Sequence, residues 1–328
     1  MYYEKEIEKN SLNYDIWFDY TRLEELAGDH DRTREIYERA ITNIPLINEK
    51  KYWRRYIFLW INYVIFEEYT ADNIDRADKV YKKVLDLVPH KLFTFSKLWI
   101  LYAHFQIRNK KLDQARLIFG KSIGIAPREK VFKAYIELEL QLGNIDRCRT
   151  IYEKFIETHP ESSSAWLKYA EFEKSLDEKE RCAAIFNTAI MQQLDMPELI
   201  WKSYINFEIS NEDYEKVRTL YERLLNQTKH VKVWHSYSKF EEGIEENENA
   251  RSILDRAYRF FKDKGMKEER LLILENWIKL EESINNEEML NELLKRKPEK
   301  VKKRRNITET EFEEYYDYLF PDDEESKK

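Results

Sequence analysis

One spacing constrains this chain more than any other. Trp201, Tyr204 and Glu208 stand at i, i+3 and i+7; ten residues after the glutamate comes Arg218, with Tyr221 three further on. A helix lines the first three along one face, so residues 201–223 read as two short helices and a turn. Neither helix buries its aromatic face alone. The unit needs a neighbour of its own kind, and a search at this spacing finds seven more copies.

In chain order the first helices are marked by Trp17, Trp60, Trp99, Phe132, Trp166, Trp201, Trp234 and Leu274, at intervals of 33 to 43 residues. The i+3 position holds Tyr20, Tyr63, Tyr102, Tyr135, Tyr169, Tyr204, Tyr237 and then Trp277. At i+7 stand Glu24, Glu67, Gln106, Glu139, Glu173, Glu208, Glu241 and Glu281. Second helices carry an arginine ten residues on in five copies: Arg34, Arg116, Arg149, Arg218 and Arg251. In the second copy an extra residue shifts the register, and in the fifth Ala183 replaces the arginine. Within one pair, such a carboxylate facing such a guanidinium fixes the angle between the two helices. The expected contact at Gln106 is a neutral one with Arg116. Three residues past the arginine position, Tyr37, Tyr81, Phe119, Tyr152, Phe186, Tyr221 and Leu254 are expected to pack towards the Trp and Tyr of the first helix. Gly28, Gly143 and Gly243 fall where the chain reverses, a place that favours positive φ. Pro45, Pro89, Pro127 and Pro160 close second helices, and the fifth is expected to close later, at Pro197.

Composition agrees with an array of helices. Six Gly and seven Pro in 328 residues are too few for an all-β or turn-rich chain, and the 14% aromatic content supplies the burial. The most apolar windows, around Trp60 and Leu98, are interrupted by Glu67, Glu68 and His104, and no apolar signal core follows Met1; the chain reads as soluble and intracellular. A net charge of −7 gives no global attraction to nucleic acid. Cys148 and Cys182 occupy one position of successive copies, where Thr33, Ala77, Ala115, Val217 and Ala250 stand elsewhere, so they read as small core residues rather than a disulfide. The six histidines make no metal-ligand pattern, and no phosphate loop, nucleophile elbow or HExxH is present. No cofactor, small-molecule substrate or membrane contact is expected.

Trp, Tyr, Glu, then Ala-Arg-x-x-Tyr and a closing Pro in a unit of about 34 residues resembles the HAT repeat of RNA-processing scaffolds. The segments EKKYWRRYIFLWINYVIFEEY from Glu49, PHKLFTFSKLWILYA from Pro89, FKAYIELELQLGNIDRCRTIYEKF from Phe132, LDMPELIWKSYINFEI from Leu194 and QTKHVKVW from Gln227 are similar to the Crooked neck splicing factors. So are KPEKVKKRR from Lys297 and EEYYDYLFPDD from Glu313. The resemblance covers essentially the whole chain and matches the C-terminal half of that family. It implies an all-α, right-handed α-solenoid of TPR-like helix-turn-helix repeats. It further implies a nuclear, non-catalytic scaffold of the spliceosome's Nineteen complex that touches other splicing proteins and small nuclear RNA or pre-mRNA. The alternative is a HAT scaffold of another RNA-processing complex, for 3′-end cleavage or ribosomal RNA processing.

The array is expected over residues 13–294, with residues 1–12 ending a preceding second helix. Two features carry candidate partner contacts. In KKYWRRY, the aromatics Tyr52, Trp53 and Tyr56 interleave with Lys50, Lys51, Arg54 and Arg55, either as an insertion packed on the first repeat or as a ridge for RNA phosphate or an acidic segment. At the other end, residues 295–305 hold eight bases and one acid, whereas 306–326 hold nine acids and no base. That reversal reads as a basic linker carrying Lys302, Lys303, Arg304 and Arg305, followed by an acidic tail, 306–328, whose Tyr315, Tyr318 and Phe320 dock on the last repeat or on another protein.

Overall fold

The computed structural model describes residues 2–306 and 312–324, and side chains there except at 303–306, 312–315 and 324. It divides into two units, Met1–Asp195 and Met196–Lys328. The first begins with α1 (Tyr2–Lys9) and continues as five helix pairs: α2 (Tyr14–Ala27) with α3 (His30–Ile41), α4 (Lys50–Ile65) with α5 (Ile74–Leu87), α6 (Ser96–Arg108) with α7 (Leu112–Ile125), α8 (Glu129–Gln141) with α9 (Ile145–Thr158), and α10 (Ser163–Ser175) with α11 (Lys179–Ala189). The second holds α12 (Pro197–Ser210) with α13 (Tyr214–Gln227), α14 (Val231–Gly243) with α15 (Asn247–Asp263), and α16 (Lys267–Ile284) with α17 (Glu287–Lys295). In each unit a second helix packs against both its own first helix and the first helix of the following pair, the stacking of an α-solenoid.

The signature residues make the core. All eight aromatic or leucine markers are buried, and so are their i+3 partners apart from Tyr135, which is half-buried. The small residue at 33, 77, 115, 148, 182, 217 and 250 is fully buried in every case. Cys148 and Cys182 therefore sit alike, each Sγ donating to the carbonyl twelve residues earlier, Ile136 and Ala170. The first helices start ahead of their marker residues, and in α2, α4 and α10 a tryptophan near the start ties down the preceding loop. Nε1 of Trp17, Trp53 and Trp166 donates to the carbonyl six residues back, at Ser11, Ile47 and Pro160.

The reversal between paired helices is made the same way in all eight copies. One residue adopts positive φ: Gly28, Asp72, Lys110, Gly143, Asp177, Glu212, Glu245 and Asn285. In seven of these turns the next amide donates to the carbonyl of the signature Glu or Gln, as Asn144 does to Glu139 at 2.9 Å, closing the helix end. The expectation at Gly243 is corrected: Gly243 is the last residue of α14, and the left-handed position falls two residues later, on Glu245. A second correction concerns Pro197, which opens α12 at its first position, where its fixed φ suits a helix start, while α11 has already ended at Ala189.

The extra residue of the second copy is absorbed in place. Phe66–Thr70 forms a π-helical turn continuing α4, and it brings two adjacent acids, Glu67 and Glu68, into the interior.

The C-terminal segment, read above as a basic linker and an acidic docking tail, forms a hairpin. The basic stretch is a strand, β1 (Glu299–Asn306), paired antiparallel with the acidic aromatic strand β2 (Phe312–Leu319), and a single turn, α18 (Pro321–Glu324), follows. The register sets Arg304 opposite Glu314 and Arg305 opposite Glu313, so the charge reversal seen in the sequence lies across one hairpin.

Candidate macromolecule-binding surface

The arginine–glutamate pairs do not form inside a helix pair. Each guanidinium grips the glutamate of the following copy with Nε and Nη2: Arg34 on Glu67 at 2.8 and 3.2 Å, Arg116 on Glu139 at 2.7 and 3.0 Å, and Arg149 on Glu173 at 2.9 and 2.9 Å. The second unit repeats the arrangement, with Arg218 on Glu241 and Arg251 on Glu281. These bidentate bonds satisfy carboxylates that are almost or wholly buried, and the arginines reach them from the rim with about a fifth of their side chains exposed. At Glu139, burial pushes the carboxyl upward, but the bonds from Arg116 and Asn144 outweigh it and hold the group below its usual range.

The tyrosines bridge copies likewise. Tyr37 stacks on Tyr63, Tyr81 on Tyr102, Phe119 on Tyr135, Tyr152 on Tyr169 and Tyr221 on Tyr237, with centroids 4.7 to 5.1 Å apart and rings within 24° of parallel. At the N-terminal end, Tyr3 of α1 stacks on Tyr20 in the same manner at 5.3 Å.

The departures are informative. Gln106 does not meet Arg116; its Nε2 donates to Asp78, which occupies the arginine's place on α5, at 2.6 Å, and Tyr102 donates to the same carboxylate. Both members of that rung changed together. Glu24 is paired with Arg32 at 3.1 Å. Glu208, preceded by a copy with Ala183, has its Oε1 buried without a hydrogen-bond partner and Lys216 only at 3.9 Å, and burial raises its carboxyl above the ordinary value.

With the signature residues consumed by stacking, the exposed surface is made by other side chains. On α4 an exposed stripe runs through Arg54, Arg55, Phe58, Asn62 and Ile65 and ends at Tyr69 in the π turn. Beside it, Asp15, Phe18, Asp19 and Arg22 of α2 complete a groove of about 580 Å³, and Arg55 forms a surface ion pair with Asp15 across it. The π turn thus serves two purposes. It directs Glu68 inward to a bidentate bond from Arg108 at 2.7 and 2.8 Å and leaves Tyr69 outside, under the Arg108 guanidinium.

One residue named as a candidate contact is corrected. Trp53 is buried, its ring against Tyr56 and Phe93, because α4 extends two turns ahead of Trp60 and packs that face inward; the ridge is left to Tyr52, Arg54 and Arg55. Phe320 is buried against Arg270 of α16 and Tyr258 of α15, the first of the two docking places expected for the tail. Tyr318 is half-buried and Lys302 exposed, whereas the side chains of Lys303, Arg304, Arg305 and Tyr315 lie outside the described residues. Among the described residues no cluster of His, Cys, Asp and Glu is placed to hold a metal ion, and no helix is long and apolar enough to cross a membrane.

Known proteins are similar to this chain in sequence. A family model described as the Syf1/CNRKL1 pre-mRNA-splicing factor N-terminal HAT repeat matches residues 1–161, and one described as the PRP39 N-terminal HAT repeat matches residues 130–268. Over 330 residues, 98% of the chain, the sequence is 49% identical to Crooked neck-like protein 1 of Homo sapiens. The chain belongs to the Crooked neck family. Two further Crooked neck relatives align over 99% of it: the pre-mRNA-splicing factor clf1 of Aspergillus fumigatus at 47% identity, and Crooked neck-like protein 1 of Dictyostelium discoideum at 46%. The chain spans 51% of the length of each of these two and 39% of the human Crooked neck protein.

Proposed function

We propose that this chain works in the nucleus as a non-catalytic scaffold of pre-mRNA splicing, within the Nineteen complex, holding other splicing proteins on the exposed faces of its first helices. The reading is supported chiefly by identity of 46 to 49% to proteins named for splicing, sustained over 98% or more of the chain. The physical arrangement is consistent with it. Buried acids, arginines and stacked tyrosines are committed to joining one helix pair to the next, which leaves varied side chains on the exposed faces of the first helices in each unit for partners. The basic end of the α4 stripe, Arg54 and Arg55, is the surface proposed to meet RNA phosphate or an acidic protein segment.

The test is crosslinking mass spectrometry of the protein in its native assembly. Crosslinks from α2 and α4 to splicing proteins are expected. Exclusive recovery with 3′-end cleavage or nucleolar components, or a turnover rate traceable to this chain alone, would overturn the reading.

A further inference from the structure

One site lies outside the repeat ladder. Tyr258 and Lys262 on α15 converge with Lys267 and Arg270 near the start of α16, and none of the four belongs to the repeat signature. Arg270 is 2% exposed, an expensive place for a guanidinium unless acids meet it. They come from the end of the chain. Asp323 accepts from Arg270 Nη1 at 2.8 and 3.0 Å; Asp322 Oδ2 accepts from Arg270 Nη2 at 2.6 Å, from Lys262 at 3.1 Å and from the Tyr258 hydroxyl at 3.1 Å. Between these acids and the hairpin, the Phe320 ring is buried with the Arg270 guanidinium 3.9 Å from its centroid. Lys267 holds Asp317 at 2.8 and 2.9 Å.

The ligand chemistry of this slot is therefore specified by the occupant it already has. A desolvated Arg270 guanidinium with Lys262 beside it demands two adjacent carboxylates, and the flat face of Arg270 demands an aromatic ring two residues ahead of them. We propose that the slot is a receptor for short aromatic–acidic segments, filled in the resting chain by Phe320–Asp323, and taken over by a segment of the same chemistry on another protein when the tail lifts. The tail is tethered, so it occupies its slot at an effective concentration on the order of mM, and a partner must displace it. The proposal does not depend on which complex the chain serves.

The test uses the full chain and a fluorescein-labelled peptide of residues 312–324, read by anisotropy. Phe320→Ala/Asp322→Ala/Asp323→Ala removes the occupant and keeps every residue of the slot itself. That variant is expected to bind the peptide at least tenfold more tightly than the wild type; adding Arg270→Ala abolishes binding, and Arg270→Lys restores only part of it. Hydrogen exchange over α15 and α16 reports whether the helices persist. If they do and the peptide binds both chains alike, or binds regardless of Arg270, the proposal fails. Should the triple variant lose these helices, Asp323→Asn takes its place, and no gain over the wild type overturns the idea equally. Concentration-dependent dimerisation of the wild type that disappears in the triple variant would show a second copy as the occupant and overturn the partner assignment.

Discussion

Replacing Arg116 with alanine should destabilise the chain more than replacing its partner, Glu139, although both changes break one ion pair. The asymmetry follows from exposure. Glu139 is completely buried, whereas the Arg116 side chain keeps 18% of its surface in solvent. Glu139→Ala leaves a guanidinium that turns outward to water, so the loss is the charge-assisted bond itself, about 1 to 2 kcal/mol. Arg116→Ala strands a carboxylate in the interior. Losing one partner of a buried pair costs about 3 to 5 kcal/mol, and the surviving contacts to Asn144 at 2.7 Å and Arg147 at 3.9 Å place this case near the lower end, about 3. The double variant, with no charge left behind, should be less damaged than Arg116→Ala alone. Because solenoids open locally, the reporter should be hydrogen exchange of the α7 and α8 amides under rising urea, beside the global transition. Acidity supplies a second reading. In the wild type the lowered carboxyl contributes stability that is present above the ordinary carboxyl pKa and lost as pH falls through the folded value; in Arg116→Ala the group protonates more readily, so the variant's deficit should shrink from pH 7 to pH 5. A deficit for Glu139→Ala equal to that of Arg116→Ala, or a double variant worse than Arg116→Ala, would refute the reasoning.

Other consequences are open to measurement. Glu208→Gln should raise stability at pH 7 to 8: a carboxyl raised by burial favours the fold below its unfolded pKa of about 4.3 and disfavours it as pH climbs through the folded value, and denaturation curves across pH 4 to 8 should lose that slope. Glu245→Gly relieves a left-handed backbone in a residue with a side chain, for a gain of about 0.5 to 1 kcal/mol in thermal or urea unfolding; a loss of that size would show the strain is absent. Arg54→Glu/Arg55→Glu touches only a surface pair and should leave stability within about 0.5 kcal/mol while weakening capture of partner protein or RNA by the reconstituted assembly. Unchanged capture of both would remove the α4 stripe from consideration.

Helix pairs, their number and their buried faces were legible because Trp, Tyr and Glu recur at a spacing only a helix places together. The partner of each arginine was not. In a periodic chain, a contact from Arg116 back to Gln106 and one from Arg116 forward to Glu139 recur with equal regularity, so spacing alone cannot choose between them. The exceptions could have chosen. Gln106 differs from the other copies in step with Asp78 on the preceding helix, not with Arg116 on its own, and Glu281 is retained although its own pair has Asn291 ten residues on. The turn position was hidden for another reason: only two of its eight occupants are glycine, and the rest adopt positive φ because the helices on either side impose it. Charge composition concealed the C-terminal hairpin, since a strand of Lys and Arg forms here against an opposing acidic strand rather than from any strand propensity of its own.

That each guanidinium reaches forward carries a consequence for how such a protein is divided. The period visible in the letters starts at a tryptophan and stops at a proline, yet the polar and aromatic joints run from a second helix into the next first helix. Cutting at the visible period severs these joints, whereas cutting at the tight reversal between paired helices leaves them whole. Fragments, fusions and grafted modules of this array are therefore best phased half a unit away from where the eye would place the seam.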